Sequence, residues 1–319
     1  AFAGLVYVIL AIAVKAAGVQ WINKLMPAVV IGPTVAIIGL SLAGNAVGDM
    51  LRGDVTIENV AAASPNVALL CGLVTLFVVI ICSIFGNKRA RLVPFIIGIM
   101  AGYAVALAFT LIGMATGNDS LMIIDFAPFK ALVADGVTLK TFLTLPEFTF
   151  VTALKGVGEL NGAYVGAIAV AYVPVAFVVF AEHIADHKNL STIINQDLLT
   201  DPGLARTLLG DGIGSMAGAF FGGCPNTTYG ESVGCVAITR NASVVSITGA
   251  AVLAMLVAFL SPVVAFLDSI PACVMGGVCL TLYGFIAVSG LKMCQDVDLN
   301  DNRNLFVVSA ILIAGVGGL

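Results

Sequence analysis

Residues 220–234 read Phe220-Phe-Gly-Gly-Cys-Pro-Asn-Thr-Thr-Tyr-Gly-Glu-Ser-Val-Gly234 and interrupt a long apolar part of the chain. The adjacent glycines near the start of the stretch, together with Pro225 and Gly230, prevent a continuous helix from crossing it. Glu231 is its only charged residue. Ionisable residues in interrupted apolar spans are typical of substrate and ion sites in membrane transporters, so we expect such a site here.

The length of this broken span, residues 223–240, limits its conformation. If residues 203–221 cross a membrane in one direction, residues 223–239 must return across it. As one helix they would reach ~25 Å, which is less than the ~30 Å hydrocarbon core. An extended segment at ~3.3 Å per residue, followed by a helix from residue 229, covers ~36 Å. The arithmetic predicts a strand followed by a half-helix.

The half-helix would begin at Tyr229, Gly230 and Glu231, near the middle of the membrane. Its first backbone N–H groups have no partner within the helix and could bind the carbonyl groups of a ligand. Glu231 could accept a hydrogen bond from the same ligand when ionised and donate one when protonated, so a proton is a natural co-substrate. The alternative is a re-entrant loop in which Glu231 is structural and paired within the protein.

The composition places the whole chain in a membrane. Of its 319 residues 60% are hydrophobic and 10% are charged, and the mean hydropathy of +1.10 lies far outside the range of soluble globular proteins. The net charge of −4 gives no indication of a nucleic-acid partner. The seven cysteines show no metal-ligand spacing, so we interpret them as packing residues. The apolar runs predict spans near residues 1–17, 25–47, 66–86, 92–113, 161–187, 203–222, 223–240 (the broken span), 243–267, 271–291 and 304–319.

We therefore predict an all-α polytopic membrane protein, and because both ends of the chain fall within apolar runs, we interpret it as an internal fragment. Lys and Arg residues recur in alternate loops, which the positive-inside rule makes cytoplasmic. The long segment 114–160 is then an extracytoplasmic loop.

One short motif occurs twice. Pro27-Ala-Val-Val-Ile-Gly32 recurs as Pro271-Ala-Cys-Val-Met-Gly276, an offset of 244 residues (271 minus 27). The loop charges make the two copies open spans of opposite direction, which is typical of an inverted repeat. Chance similarity between two Gly-rich apolar segments is the alternative. On the first interpretation residues 1–319 form one partial transporter domain, with 1–113 closing the first repeat and 161–319 supplying an incomplete second one.

A second acidic cluster ends the span at 161–187. Glu182 and Asp186 are i, i+4 and share one helical face, where like charges repel unless a proton or a cation is nearby. Glu182 could also be a solvated residue at the cytoplasmic end of the helix. His183 and His187 have the same spacing, but their order differs from the HExxH zinc motif, and we predict no metal site.

Several motifs resemble the nucleobase-ascorbate transporter family, most closely its bacterial uracil permeases. The resemblance covers essentially all 319 residues, and the string from Pro225 to Glu231 is its most specific part. It implies fourteen spans in two inverted repeats of seven, in which the third and tenth spans are each a strand plus a helix. The motifs are Phe177-Val-Val-Phe-Ala-Glu-His183, Pro225-Asn-Thr-Thr-Tyr-Gly-Glu231, Val236-Ala-Ile-Thr-Arg240, Val274-Met-Gly-Gly-Val278 and Leu282-Tyr-Gly284.

The resemblance also implies a binding site. Glu182 and Glu231 would hydrogen-bond the nucleobase, and the backbone N–H groups of Tyr229 and Gly230 would bind its carbonyls. Asp186 and Tyr283 match positions linked to proton coupling, to which Glu231 would also contribute. Ser232 stands where the family signature has Asn, which leaves open which nucleobase is preferred.

These features predict a proton-coupled uracil importer that works by alternating access and spans the cell membrane several times. A xanthine or other purine symporter of the same family is the nearest alternative, followed by an anion exchanger or channel of the same fold. An intramembrane hydrolase is disfavoured because no nucleophile motif is present, so we predict no enzyme activity. We expect no cofactor other than the coupling proton, no nucleic-acid partner, and a homodimer as one possible assembly.

Overall fold

The computed structural model of the chain is almost entirely helical where it is described. The described residues are 2–18, 21, 27–57, 60–134, 136–144, 149–156, 158, 161–224, 226–230, 232–233, 236, 240–295 and 297–317. The helices are α1 (Phe2–Ala17), α2 (Ala28–Met50), α3 (Pro65–Phe85), α4 (Pro94–Thr116), α5 (Ala127–Val133), α6 (Leu139–Phe142), α7 (Thr149–Gly156), α8 (Gly162–Ile194), α9 (Leu204–Phe220), α10 (Val244–Val257), α11 (Ser261–Asp268), α12 (Ala272–Met293) and α13 (Asn302–Gly317). Two short strands, β1 (Thr56–Ile57) and β2 (Val60–Ala61), form an antiparallel pair after α2.

Five of these helices are long and apolar enough to cross a membrane: α2, α3, α4, α8 and α12. Local sequence signals set their ends. Both α3 and α4 begin with a proline in the first turn, where the missing N–H is not needed. Helix α4 stops at Gly117, which adopts a left-handed backbone conformation with φ of 66°. The prediction of several apolar spanning helices is confirmed.

The predicted span at 243–267 differs from the structure. Residues 243–267 form two helices, α10 and α11, instead of one. Pro262 lies at the start of α11, and Leu260 before it is extended and pairs with Leu143 across an isolated β-bridge. A proline cannot continue the hydrogen bonding of the preceding turn, so the helix breaks there.

The chain divides into two compact units. Unit 1 contains residues 1–38, 146–240 and 286–319, and unit 2 contains residues 39–145 and 241–285. In unit 1, α1 packs against α9 and α8. A Cβ atom on Gly4 would lie 2.6 Å from the Gly212 carbonyl oxygen, so the α1 and α9 backbones approach more closely than larger residues allow.

Unit 2 is built around α3 and α4. Its loops are held by buried polar groups: the Thr110 hydroxyl accepts the backbone N–H groups of Ile123 and Ile124, each at 3.1 Å. Asp54, in the loop after α2, accepts the N–H of Ala272 at 3.1 Å and so caps the start of α12. Burial raises the pKa of the Asp54 carboxyl, and the hydrogen bond from Ala272 opposes that shift.

Helices α2 and α12 each run from one unit into the other. In unit 1 the first half of α2 packs on the second half of α12: a Cβ atom on Gly32 would lie 3.0 Å from the Gly290 carbonyl oxygen. In unit 2 the second half of α2 packs on the first half of α12, where a Cβ atom on Gly276 would lie 2.7 Å from the Ala46 carbonyl oxygen. Glycines therefore permit close backbone contact at both places.

Candidate functional site

The broken span begins as the sequence predicts. Residues 223, 224 and 226–229 are not helical, whereas residues 230, 232, 233 and 236 are. Pro225 and Glu231 lie outside the described residues, so the position predicted for the Glu231 side chain remains a prediction. The Ser232 hydroxyl donates to the Tyr229 carbonyl at 2.7 Å, beside the first helical turn.

The predicted strand in this span is not formed by its described residues. The reason lies in the partners of the Asn226 backbone. Its N–H donates to the Ser215 hydroxyl at 2.8 Å, and its carbonyl lies 3.3 Å from the same hydroxyl. A side chain of α9 thus satisfies backbone groups that would otherwise require a neighbouring strand.

The two carboxylates predicted on α8 face the broken span. Glu182 and Asp186 are both half-buried. The Thr228 hydroxyl donates to Asp186 Oδ2 at 2.7 Å, and the Thr227 hydroxyl lies 3.5 Å from Glu182 Oε2. Two adjacent threonines of the broken span therefore each contact one carboxylate. Helix α8 continues to Ile194, so Glu182 does not lie at the end of the helix.

Gly230 lies close to the Asp186 carboxylate. A Cβ atom at Gly230 would be 3.0 Å from Asp186 Oδ1, a distance at which a neighbouring atom must move. The glycine therefore lets the first helical residue of the broken span come close to α8. The neighbouring Tyr229 side chain is 62% exposed, and the role predicted for this residue concerns its backbone N–H instead.

The two histidines of α8 are hydrogen-bonded to other groups of the protein. His183 is 1% exposed; its Nδ1 lies 2.7 Å from Asp211 Oδ2 and its Nε2 lies 3.0 Å from the Thr207 hydroxyl. The His187 Nδ1–H donates to the His183 carbonyl at 2.9 Å, and the two rings stack at 4.2 Å. Within the described part of the chain, no group of three His, Cys, Asp or Glu side chains is arranged to hold a metal ion.

A small cavity adjoins the site within unit 1. It has a volume of ≈ 190 Å³, and its walls are mostly apolar side chains of α1 and α8 with Ser215, Asn226 and Thr227 on the polar side. Ligand pockets for drug-sized molecules are typically ~300–1,000 Å³, so this one suits a smaller ligand.

Sequence reasoning missed five polar residues of the site. Thr207, Asp211 and Ser215 are spaced by four in α9, a periodicity that marks one face of a helix. Thr227 and Thr228 could also have been recognised from the sequence, because they are polar residues within an apolar span. Tyr283, predicted to assist proton coupling, lies on α12 in unit 2.

Comparison with known proteins identifies the family. The model of the Permease family, Xan_ur_permease, matches residues 1–319. The chain is 39% identical over 318 residues to the uracil permease of Bacillus caldolyticus, covering 99% of this chain and 66% of that protein. It is 34% identical over 317 residues to the uracil permease of Escherichia coli K12, again covering 99% of this chain and 66% of that protein. A putative pyrimidine permease of E. coli K12, RutG, is 28% identical over 316 residues, covering 98% of this chain and 63% of that protein.

The chain thus spans about two thirds of the length of these curated relatives. The family match extends over every residue that carries the motifs and the site described above. The chain therefore belongs to this family of membrane permeases, and its resemblance to the nucleobase-ascorbate transporters is confirmed.

Proposed function

We propose that the protein is a proton-coupled uracil importer of the cell membrane. The observation that carries the proposal is the pairing of adjacent Thr227 and Thr228 with Glu182 and Asp186 at the start of a half-helix. Relatives at 34–39% identity named uracil permease support the choice of substrate.

The chemistry of the site suits a neutral pyrimidine dione. Uracil offers two N–H donors and two carbonyl acceptors. Glu182 would accept an N–H group as a carboxylate, protonated Glu231 would donate its O–H to one carbonyl and accept the other N–H, and the backbone N–H groups of Tyr229 and Gly230 would bind a carbonyl. Residues 226–229 are not helical, so the described part of the half-helix begins at Gly230, beside the Asp186 carboxylate.

Proton coupling is proposed for the acidic groups of the same site. Protonation of Glu231, with Asp186 as a relay, would favour substrate binding because it reduces the repulsion between neighbouring carboxylates. The Thr228 hydroxyl donates to Asp186 and would favour its ionised form over its protonated form. Tyr283 is assigned a supporting role through its position in the family motif.

We also propose that the two repeats of the transporter are related by inverted symmetry. Such symmetry would allow the substrate site to open to each side of the membrane in turn, which is alternating access. The glycine contacts of α2 and α12 support it. Gly276 faces the Ala46 carbonyl and the Met50 N–H, while Gly32 faces the Gly290 carbonyl and the Cys294 N–H. Adding the motif offset of 244 to residues 32, 46 and 50 gives residues 276, 290 and 294, so one set of contacts maps onto the other.

This symmetry extends the proposal to the domain organisation. Residues 1–113 would close the first repeat, 114–160 would form an extracytoplasmic loop, and 161–319 would belong to the second repeat. Unit 1, which holds the described site residues of α8 and the broken span, would be the core domain, and unit 2 the gate. A homodimer is compatible with this arrangement.

Binding of tritiated uracil, xanthine and uric acid to the purified full-length protein tests the substrate. We expect uracil to bind at least ~10-fold more tightly than either purine, and Glu231→Gln to weaken uracil binding by a similar factor, because the amide does not reproduce both hydrogen bonds of the carboxyl group and each contributes ~0.5–1.5 kcal/mol. Preference for xanthine would favour the purine alternative. Unchanged uracil affinity in Glu231→Gln would refute the role of that residue, and a chloride or sulfate current would favour the anion-channel alternative.

A further inference from the structure

We propose that Thr207, Asp211 and Ser215 of α9 form a positioning element, here called the polar ladder, that holds both halves of the nucleobase site in register. The inference rests on the proposed function for its substrate and adds residues to which that function assigns no role. The three side chains follow one another at i, i+4 and i+8, so they line one side of the helix.

The first half of the site is held through His183. Asp211 and Thr207 bind its two ring nitrogens at 2.7 and 3.0 Å. Successive helical residues point about 100° apart, so fixing the direction of His183 also fixes that of Glu182 beside it. Helix α8 contains Pro174, which removes a backbone hydrogen bond more than two turns before His183, so an external anchor helps to fix its C-terminal half.

The second half is held through Ser215. Its hydroxyl binds both the N–H and the carbonyl of Asn226, the residue before the two threonines that contact α8. One helix therefore fixes both the carboxylates of α8 and the backbone that leads to the half-helix. Helix α9 is itself fixed, because Gly212, next to Asp211, packs directly on Gly4 of α1.

The contacts of Thr207 and Asp211 with the His183 ring are possible in either protonation state of His183, whereas the bond from Thr207 to the Leu204 carbonyl is possible in only one. The Thr207 hydroxyl lies 3.0 Å from His183 Nε2 and 3.1 Å from the Leu204 carbonyl, and it has one hydrogen to donate. With a doubly protonated ring it accepts from Nε2–H and donates to Leu204. With a neutral ring it donates to Nε2. Asp211 accepts from Nδ1–H in both cases, so no heavy atom needs to move.

Substitutions of Thr207 test the ladder in the full-length protein. Thr207→Val keeps the shape and removes the hydroxyl, so we expect the Kd for tritiated uracil to rise about tenfold, whereas Thr207→Ser should stay within about twofold of the wild type. Thr110→Val is the matched control: it removes a buried threonine hydroxyl from unit 2 and should lower the Tm without changing the Kd. Equal Kd values for Thr207→Val and Thr207→Ser would overturn the proposal.

A second measurement needs no ligand. In a variant carrying Asp186→Cys and Thr228→Cys, oxidation should link residues 186 and 228, whose native side chains are in hydrogen-bond contact. Adding Ser215→Ala should slow formation of the linked peptide, followed by mass spectrometry, several-fold. An unchanged rate would contradict the ladder. If the wild type binds no nucleobase, the proposed function fails, while the cross-linking rate still decides the ladder.

Discussion

Glu182→Gln is expected to reduce the affinity of the full-length protein for uracil by about 100-fold. An ionised carboxylate accepts a hydrogen bond from a ligand N–H that is worth ~1.5–3 kcal/mol, and an amide can present its own NH₂ group to that donor. The Thr227 hydroxyl, 3.5 Å from Glu182 Oε2, would also lose its charged acceptor. Equilibrium binding of tritiated uracil measures the effect.

Asp298→Asn provides the control for this variant. Asp298 is an exposed carboxylate in the loop between α12 and α13, where it accepts from the Asn300 N–H at 2.9 Å. The same chemical change at that position should leave uracil binding unchanged. If Glu182→Gln binds uracil as tightly as Asp298→Asn does, Glu182 is not a substrate ligand and belongs to the helix surface.

Gly290→Ala is expected to be the most destabilising single-methyl addition in α12. A Cβ atom at residue 290 would collide with the backbone N of Ala36 and lie 2.6 Å from the Gly32 carbonyl oxygen. Backbone atoms cannot rotate away, so the α2 and α12 backbones must separate. Overpacking of this kind costs ~1–3 kcal/mol or more, which corresponds to a fall in Tm of roughly 5–10 °C.

Gly284→Ala is the matched control in the same helix. A Cβ atom there would meet no atom within 4 Å, so the alanine should be neutral or slightly stabilising through its higher helix propensity. Thermal unfolding of the two purified variants in the same detergent gives the comparison. Equal Tm values would show that the close packing of α2 on α12 does not limit stability.

Much of the fold was predictable from the sequence because the bilayer imposes simple requirements. A spanning helix needs a charge-free run of sufficient length, and the runs around α3 and α4 predicted the bounds of those helices to within three residues. The break between α10 and α11 was harder to predict. Pro262 lies in an apolar run, and prolines inside spans can be tolerated, as Pro33 in α2 shows.

The site was predictable only in part. Chain length indicated the interruption before Gly230, and spacing placed Glu182 and Asp186 on one face of α8. The contacts from Thr227 and Thr228 depend on how the broken span packs against α8, which no local pattern specifies. The pairing of His183 with Asp211 joins two helices in the same way and could be known only from the structure.

We propose that this permease couples proton movement to uracil uptake, and transport by the full-length protein in proteoliposomes tests this coupling most directly. With an inward proton gradient, labelled uracil should accumulate above its external concentration, and a protonophore should reduce the internal level to that outside. Accumulation that is equally high after the gradient has been collapsed would contradict proton coupling.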